Sequence, residues 1–163
     1  MPTENDFIQL ITQHRKIIYK VCNLYTHSEQ DNKDLFQEIM LAAWKGYRNF
    51  KGDAKFSTWL YRVALNTAIT LFRRGQRQPA TSHYEEVYAP DLPDTTASEE
   101  EQLTAMHKAI AALSAIDKAL VMLYLDDYPY QDIGDIMGIS ANNVAVKMNR
   151  IKIKLKESSK KYL

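Results

Sequence analysis

The chain has 163 residues, 45% of them apolar and 25% charged, which is a globular composition and allows one ordinary domain or two small ones. No run approaches the roughly 18 apolar residues of a bilayer span, MPTENDFIQL has no basic-then-apolar leader pattern, and Cys22 stands alone, so the expectation is a cytoplasmic chain without membrane insertion or intrachain disulfide. Net charge is only +1, yet it is segregated: eight Lys/Arg against Asp53 from Lys45 to Arg77, seven acids and no cation from Pro79 to Gln102, and seven Lys/Arg against Glu157 from Ser140 to Leu163.

Phe7, Leu10, Ile11, His14, Ile17, Ile18 and Val21 keep the i, i+3, i+4, i+7 spacing of one amphipathic helix, with Asn5 as its cap. A second helix carries Leu35, Ile39, Ala42 and Gly46 on one line, with Phe36, Met40, Ala43 and Tyr47 beside it. A third carries Leu60, Val63, Ala64, Thr67, Ala68 and Leu71, capped by Ser57. Three such helices can share a core, so residues 1–75 read as one helical domain. Residues 76–97 lack a helical period and hold Pro79, Pro90 and Pro93 among Thr, Ser and acids, the marks of an acidic flexible linker. Those 22 residues would span about 75 Å extended and roughly 25 Å as a free coil.

Residues 98–163 read as a second helical domain. Ser98-Glu-Glu-Glu101 has the form of a capping box, and Ser114-Ala-Ile-Asp117 resembles it. Leu113, Ile116, Leu120, Leu123 and Tyr124 continue the apolar period up to the Asp126-Asp-Tyr-Pro129 break. From Tyr130 the spacing predicts helix-turn-helix. Ile133, Met137, Ile139 and Val144 fall at its apolar positions, Gly134 where the two helices approach, Gly138 in the turn, and Ser140 at the cap of a second helix from Ala141 to about Glu157. Its inner side is Val144, Met148, Ile151 and Leu155, and its outer side offers Asn142, Asn143, Lys147, Asn149, Arg150 and Lys154. Asn matches adenine edges, Arg matches guanine, and Lys neutralises phosphate. The fold class is therefore all-α: two small helical domains on an acidic linker, the C-terminal one helix-turn-helix.

Lys51 to Phe56, around Gly52, is a loop in which cations and aromatic residues alternate closely. That mixture suits unpaired bases, because rings stack on the base while cations follow the strand. Trp44 and Trp59 read instead as core. Asp34 and Glu38, four apart with Gln37 between, share a helix face with no companion ligands and read as a protein-contact patch. There is no Gly-rich phosphate loop, no H-E-x-x-H and no cysteine pair for zinc, and His14, His27, His83 and His107 are scattered, so no catalytic residue, metal or cofactor is expected. Two plainer readings stand beside a double nucleic-acid surface: a stand-alone helix-turn-helix regulator of duplex DNA, and a helical adaptor without a nucleic-acid role.

The order of these motifs resembles a bacterial RNA polymerase sigma factor of the two-domain extracytoplasmic-function group of the sigma-70 family. DLFQEIMLAAWKGYRNF is similar to that family's clamp-binding helix, FKGDAKFSTWLYRVALNTAITLFRR to its promoter-melting segment, and LSAIDKALVMLYLDDYPYQDIGDIMGIS to its second domain. The resemblance implies core RNA polymerase as partner, through the beta-prime clamp helices and the beta flap, together with promoter DNA and an anti-sigma factor. It implies that Asp34, Gln37 and Glu38 meet the clamp helices. The Lys51–Phe56 loop (Lys51, Asp53, Lys55, Phe56) and Asn66 would capture a flipped −10 base, while Arg62, Arg73 and Arg74 hold neighbouring phosphates. The second domain would read the −35 element as duplex, and Glu85, Glu86, Asp91 and Asp94 of the linker would imitate nucleic-acid charge in a polymerase channel. The match departs at the recognition helix. Ala145 and Val146 stand where the family has a base-contacting cation and a serine, which shifts the expected contacts to Asn142, Asn143, Lys147 and Arg150. Gly134 for the usual alanine and Asp132 for glutamate are expected to be mild changes.

Overall fold

The computed structural model describes residues 3–77 and 98–161, and every regular element among them is a helix. The chain divides into two compact units with the main boundary at Gly75–Gln76, Asp135–Gly138 grouping with the first unit. The first contains α1 (Glu4–Gln13), α2 (Arg15–Tyr25), α3 (Glu29–Tyr47) and α4 (Phe56–Arg77).

The long apolar line from Phe7 to Val21 makes two helices, not one. His14 breaks it at φ −112°, ψ 18°. Its backbone N–H reaches back to Leu10 O and Ile11 O, and its ring Nδ1 donates to Leu10 O at 2.9 Å. A side chain that competes for a ladder carbonyl gives the chain an exit from the helix without Gly or Pro. The apolar period survives the break, because Phe7, Ile11, Ile17, Ile18 and Val21 are all buried. The cap of α1 is Thr3 rather than Asn5. Thr3 Oγ1 accepts from the Asp6 N–H (3.2 Å) and Asp6 Oδ2 accepts from the Thr3 N–H (3.2 Å), a reciprocal pair.

Ser28 caps α3 by accepting from the Asp31 N–H at 3.1 Å, and Glu29 and Asp31 place negative charge at the positive end of the helix. Leu35, Ile39, Ala43 and Tyr47 are its buried line, while Ala42 and Gly46 are only half-buried. In α4 the buried line is Leu60, Tyr61, Ala64, Leu65, Ala68 and Ile69, with Val63, Thr67 and Leu71 at its margin. Ser57 lies inside α4 and is not its cap, since the helix opens at Phe56 with the Trp59 N–H donating to Lys55 O. The helix runs to Arg77, two residues into the expected linker. A single glycine such as Gly75 weakens a helix by about 1 kcal/mol but does not end it. The rest of that linker, with Glu85, Glu86, Asp91 and Asp94, lies outside the described residues.

The second unit holds α5 (Glu99–Ala111), α6 (Ala115–Leu125), α7 (Tyr130–Met137) and α8 (Ala141–Lys161), with α8 packed on α5 and α6. Ser98 and Ser114 cap α5 and α6 by accepting from the Glu101 and Asp117 N–H groups, each at 3.2 Å. Lys118 is 3% exposed, and burial holds its ammonium below the ordinary lysine range. The end of α6 is a Schellman turn: the Tyr128 N–H donates to Leu123 O, the Asp127 N–H donates to Tyr124 O, and Asp127 takes φ 63°. Gly138 has φ 75° in the turn between α7 and α8, where the sequence calls for glycine. Gly134 is tighter than the family comparison suggests. A Cβ there would stand 2.5 Å from Ile139 O, so alanine at this position is not a mild alternative.

Candidate nucleic-acid interface

Three exposed surfaces carry the expected residues. On α3, Asp34, Gln37 and Glu38 are all exposed, and Gln30 Nε2 donates to Asp34 Oδ1 at 2.9 Å. Leu41, 49% exposed, continues their line one turn on. Beside it a groove of ≈ 460 Å³ runs between α1 and α3, lined by Ile8, Phe36, Gln37, Met40, Leu41 and Trp44. The polar patch is thus the rim of an apolar trough, an arrangement that suits a protein partner. The sequence reading found the rim and missed Leu41. The spacing alone carries the signal, since Asp34, Gln37, Glu38 and Leu41 share one helical face.

The second surface begins at the loop after α3. Lys51, Gly52, Asp53 and Lys55 are exposed, and Gly52 has φ 77°. Phe56 differs from them. Its ring is half-buried in an aromatic cluster, 5.1 Å from His14, 5.4 Å from Trp59 and 5.9 Å from Phe50. Trp59 stands 6.3 Å from Tyr47, and Trp44 stands 5.1 Å from Phe7; both tryptophans are half-buried. Phe50 and Phe56, which bracket the charged loop in sequence, both belong to this cluster. Along α4, Trp59, Asn66 and Arg73 recur at seven-residue intervals and so lie on one face, with Arg62 at its edge. Asn66 and Arg73 are exposed and Arg62 is half-buried. Arg74 is exposed but sits about 100° around the helix from Arg73. From Phe56 to Arg73 the helix covers about 25 Å.

The third surface is α8. Ser140 Oγ accepts from the Asn143 N–H at 3.1 Å and so caps the helix. Val144, Met148 and Ile151 are buried, and Asn142, Asn143, Lys147, Asn149, Arg150 and Lys154 are all exposed, as the periodicity requires. They do not form one patch. Lys147, Arg150 and Lys154 flank a small cleft with Asp117 of α6, and Lys154 Nζ lies 4.0 Å from Asp117 Oδ2. Asn142 and Asn149 lie opposite the buried line. Between them is Val146, 50% exposed, which the sequence reading noted only as a departure. The remaining cation of this stretch of α8, Lys152, points elsewhere: its Nζ sits 4.5 Å from the centroid of the Tyr124 ring.

Residues 10–78 match the model of sigma-70 region 2, and residues 103–155 match that of sigma-70 region 4. The RNA polymerase sigma-H factor of Pseudomonas aeruginosa is 31% identical over 157 residues, covering 89% of this chain and 80% of that protein. The chain belongs to the sigma-70 family of RNA polymerase sigma factors, in its extracytoplasmic-function group. The ECF RNA polymerase sigma factor SigM of Mycobacterium tuberculosis is 28% identical over 91% of this chain and 74% of its own length. Among solved structures, the sigma factor RpoE bound to the anti-sigma factor NepR from Bartonella quintana superposes with a TM-score of 0.68 at 21% identity, covering 95% of this chain and 97% of that one. CnrH, bound to the cytosolic domain of CnrY, gives a TM-score of 0.65 at 18% identity, over 95% of this sigma factor and 88% of that chain. At those identities the likeness speaks for the all-helical fold. The region 2 match spans α3, the Lys51–Phe56 loop and α4, which a stand-alone helix-turn-helix regulator or a helical adaptor leaves unexplained. Among the described residues no helix is long and apolar enough to cross a membrane.

Proposed function

We propose that this sigma factor docks on core RNA polymerase through the exposed face of α3 and delivers two DNA-reading surfaces to a promoter. Its function is to bind the polymerase and direct promoter-specific initiation. Asp34, Gln37 and Glu38 meet the beta-prime clamp helices, and Leu41 with the α1–α3 trough supplies apolar contact beside them. The second unit meets the beta flap. Lys51, Asp53 and Lys55 line the mouth of a pocket for one unstacked −10 base. Phe56 acts from below, as the wall that holds the loop, rather than as a free stacking platform. Asn66 lies on the same face, with Arg62 and Arg73 toward the strand's phosphates and Arg74 on its flank. Flipping a base costs a few kcal/mol, least at easily unstacked steps, so a pre-formed pocket both selects a base and favours melting. In α8, Asn142, Asn143 and Asn149 face base edges of the −35 duplex, while Lys147, Arg150 and Lys154 neutralise one backbone. Residues 1–75 thus serve the polymerase and the −10 element, and residues 98–163 the −35 element, across the tether at 76–97. Phosphodiester chemistry belongs to the polymerase, the chain works in the cytoplasm, and an anti-sigma factor covers its polymerase-binding face between signals.

The observation that carries the polymerase face is the coincidence of Asp34, Gln37 and Glu38, all exposed, with an apolar groove on the same helix. The experiment is co-elution with purified bacterial core RNA polymerase, comparing wild type with Asp34→Ala/Glu38→Ala. The double variant is expected to bind about tenfold or more weakly, since removing close polar contacts at an interface costs on the order of 1–2 kcal/mol. Equal binding by the two proteins would move the docking face off α3.

A further inference from the structure

The recognition helix presents an apolar side chain at the centre of its reading face. With 100° between residues, the positions opposite the buried line of Val144, Met148 and Ile151 are Asn142, Val146, Asn149 and, a turn beyond, Ile153. Val146 is 50% exposed. Its neighbours on the helix surface, at i−4, i−3, i+3 and i+4, are Asn142, Asn143, Asn149 and Arg150, all exposed and all able to hydrogen-bond. A branched apolar residue has poor helix propensity and gains nothing from water. One other exposed apolar residue, Ile153 (61% exposed), shares this face of α8 two turns further on, whereas Leu103 and Leu125 belong to α5 and α6. Ala145, half-buried on the flank, is too short to take the place of a long base-contacting cation.

We propose that Val146 is a specificity-determining residue that reads the C5 methyl of a thymine in the −35 duplex. The inference rests on the reading of α8 as the major-groove helix. In that groove each base pair shows donors and acceptors, and the thymine methyl is the only apolar feature. A valine between two asparagines therefore selects thymine beside adenine, since asparagine pairs with adenine N6 and N7. The sigma factor trades the usual cation-to-guanine contact for a methyl contact, and its −35 preference moves toward A·T steps.

The test uses holoenzyme reconstituted from core polymerase and the full chain. A −35 element is first selected by wild-type holoenzyme from a library randomised at those positions, and each thymine is then replaced singly by deoxyuridine, which removes the methyl and nothing else. At one position the replacement should lower open-complex formation about fourfold, the worth of one buried methylene-sized group. In Val146→Ala the same replacement should have no effect at that position. Val146 is exposed and alanine is the better helix former, so the variant folds. A selected element without thymine, no deoxyuridine effect in wild type, or an undiminished effect in Val146→Ala overturns the proposal. An Asn142→Ala/Arg150→Ala holoenzyme separates the two layers. If it loses −35 selection while deoxyuridine has no effect on wild type, only the role of Val146 falls; if it keeps full selection, the groove reading of α8 falls as well.

Discussion

Gly134→Ala sets two effects of opposite sign against each other. Inside α7, alanine gains about 0.8–1 kcal/mol over glycine in helix propensity. The added Cβ, however, would stand 2.5 Å from Ile139 O and 3.4 Å from Ala141 N, in the turn that leads into α8. Its closest neighbour is backbone, so no side chain can swing aside. Reaching even a tight contact needs a backbone shift of about 0.5 Å, which strains the Ile139 N–H to Gly134 O hydrogen bond (3.0 Å) and the φ of Gly138. Overpacking costs about 1–3 kcal/mol, and with backbone as the obstacle the upper half of that range applies, so a net loss of about 1–2 kcal/mol is expected. For a domain of this size that lowers the midpoint by about 4–16 °C. The assay is calorimetric unfolding of the full chain, following the transition of the second unit, because a two-unit chain is not a single two-state system. Gly75→Ala is the control. It is the same substitution inside α4 with nothing within 4 Å of the new Cβ, and it should leave stability unchanged or slightly raised. A Gly134→Ala midpoint equal to or above wild type would show that the turn yields freely and would refute the argument from close approach.

Asp127→Gly should stabilise the second unit by about 0.5–1 kcal/mol, because glycine takes the left-handed conformation of that Schellman turn (φ 63°) without the Cβ conflict; a lowered midpoint would locate the turn's stability in the aspartate side chain instead. Cys22 is fully buried, and burial pushes its thiol up to about 11. At pH 8 only about one thiol in a thousand is ionised, so a disulfide reagent should label native protein no faster than the protein opens and should label it at once in denaturant. The ionised share rises as pH climbs toward that value, and prompt labelling at pH 8 would contradict the burial.

The helical class, the helix-turn-helix and the faces of α3 and α8 were legible because each rests on a periodicity that packing enforces. Val144, Met148 and Ile151 go inward for reasons that any amphipathic helix obeys, and the outward placement of Asn142, Lys147 and Arg150 follows from it. Helix ends were less legible. Thr3, rather than Asn5, caps α1 through a reciprocal pair with Asp6, and both candidates are good capping residues by type. The break at His14 carries no Gly or Pro, and the apolar period runs through it, so composition held no trace of the Leu10 carbonyl that the ring captures. Phe56 shows a different limit. A sequence places an aromatic residue beside cations, but only the ring distances to His14, Phe50 and Trp59 show that the ring is engaged with other rings of the protein.

The cations of α8 also bear on why two surfaces and a polymerase are needed. Three of the cations expected at the −35 duplex, Lys147, Arg150 and Lys154, flank one cleft, and one of these approaches Asp117 at 4.0 Å. With a slope of about 0.9 per neutralised phosphate, three contacts lose only about 40-fold in affinity between 50 and 200 mM salt, far less than a protein with six to ten such contacts. The same arithmetic means that three contacts contribute little affinity to begin with. On the reading proposed for α8, methyl and amide contacts from Val146, Asn142 and Asn149 would discriminate between bases without supplying the missing electrostatic attraction. A reading helix of this composition chooses well and holds weakly. On the proposed reading of α3, it suits a subunit whose DNA is presented at high effective concentration by a polymerase already bound there, so that weak duplex contacts select among promoters instead of trapping the free chain on DNA.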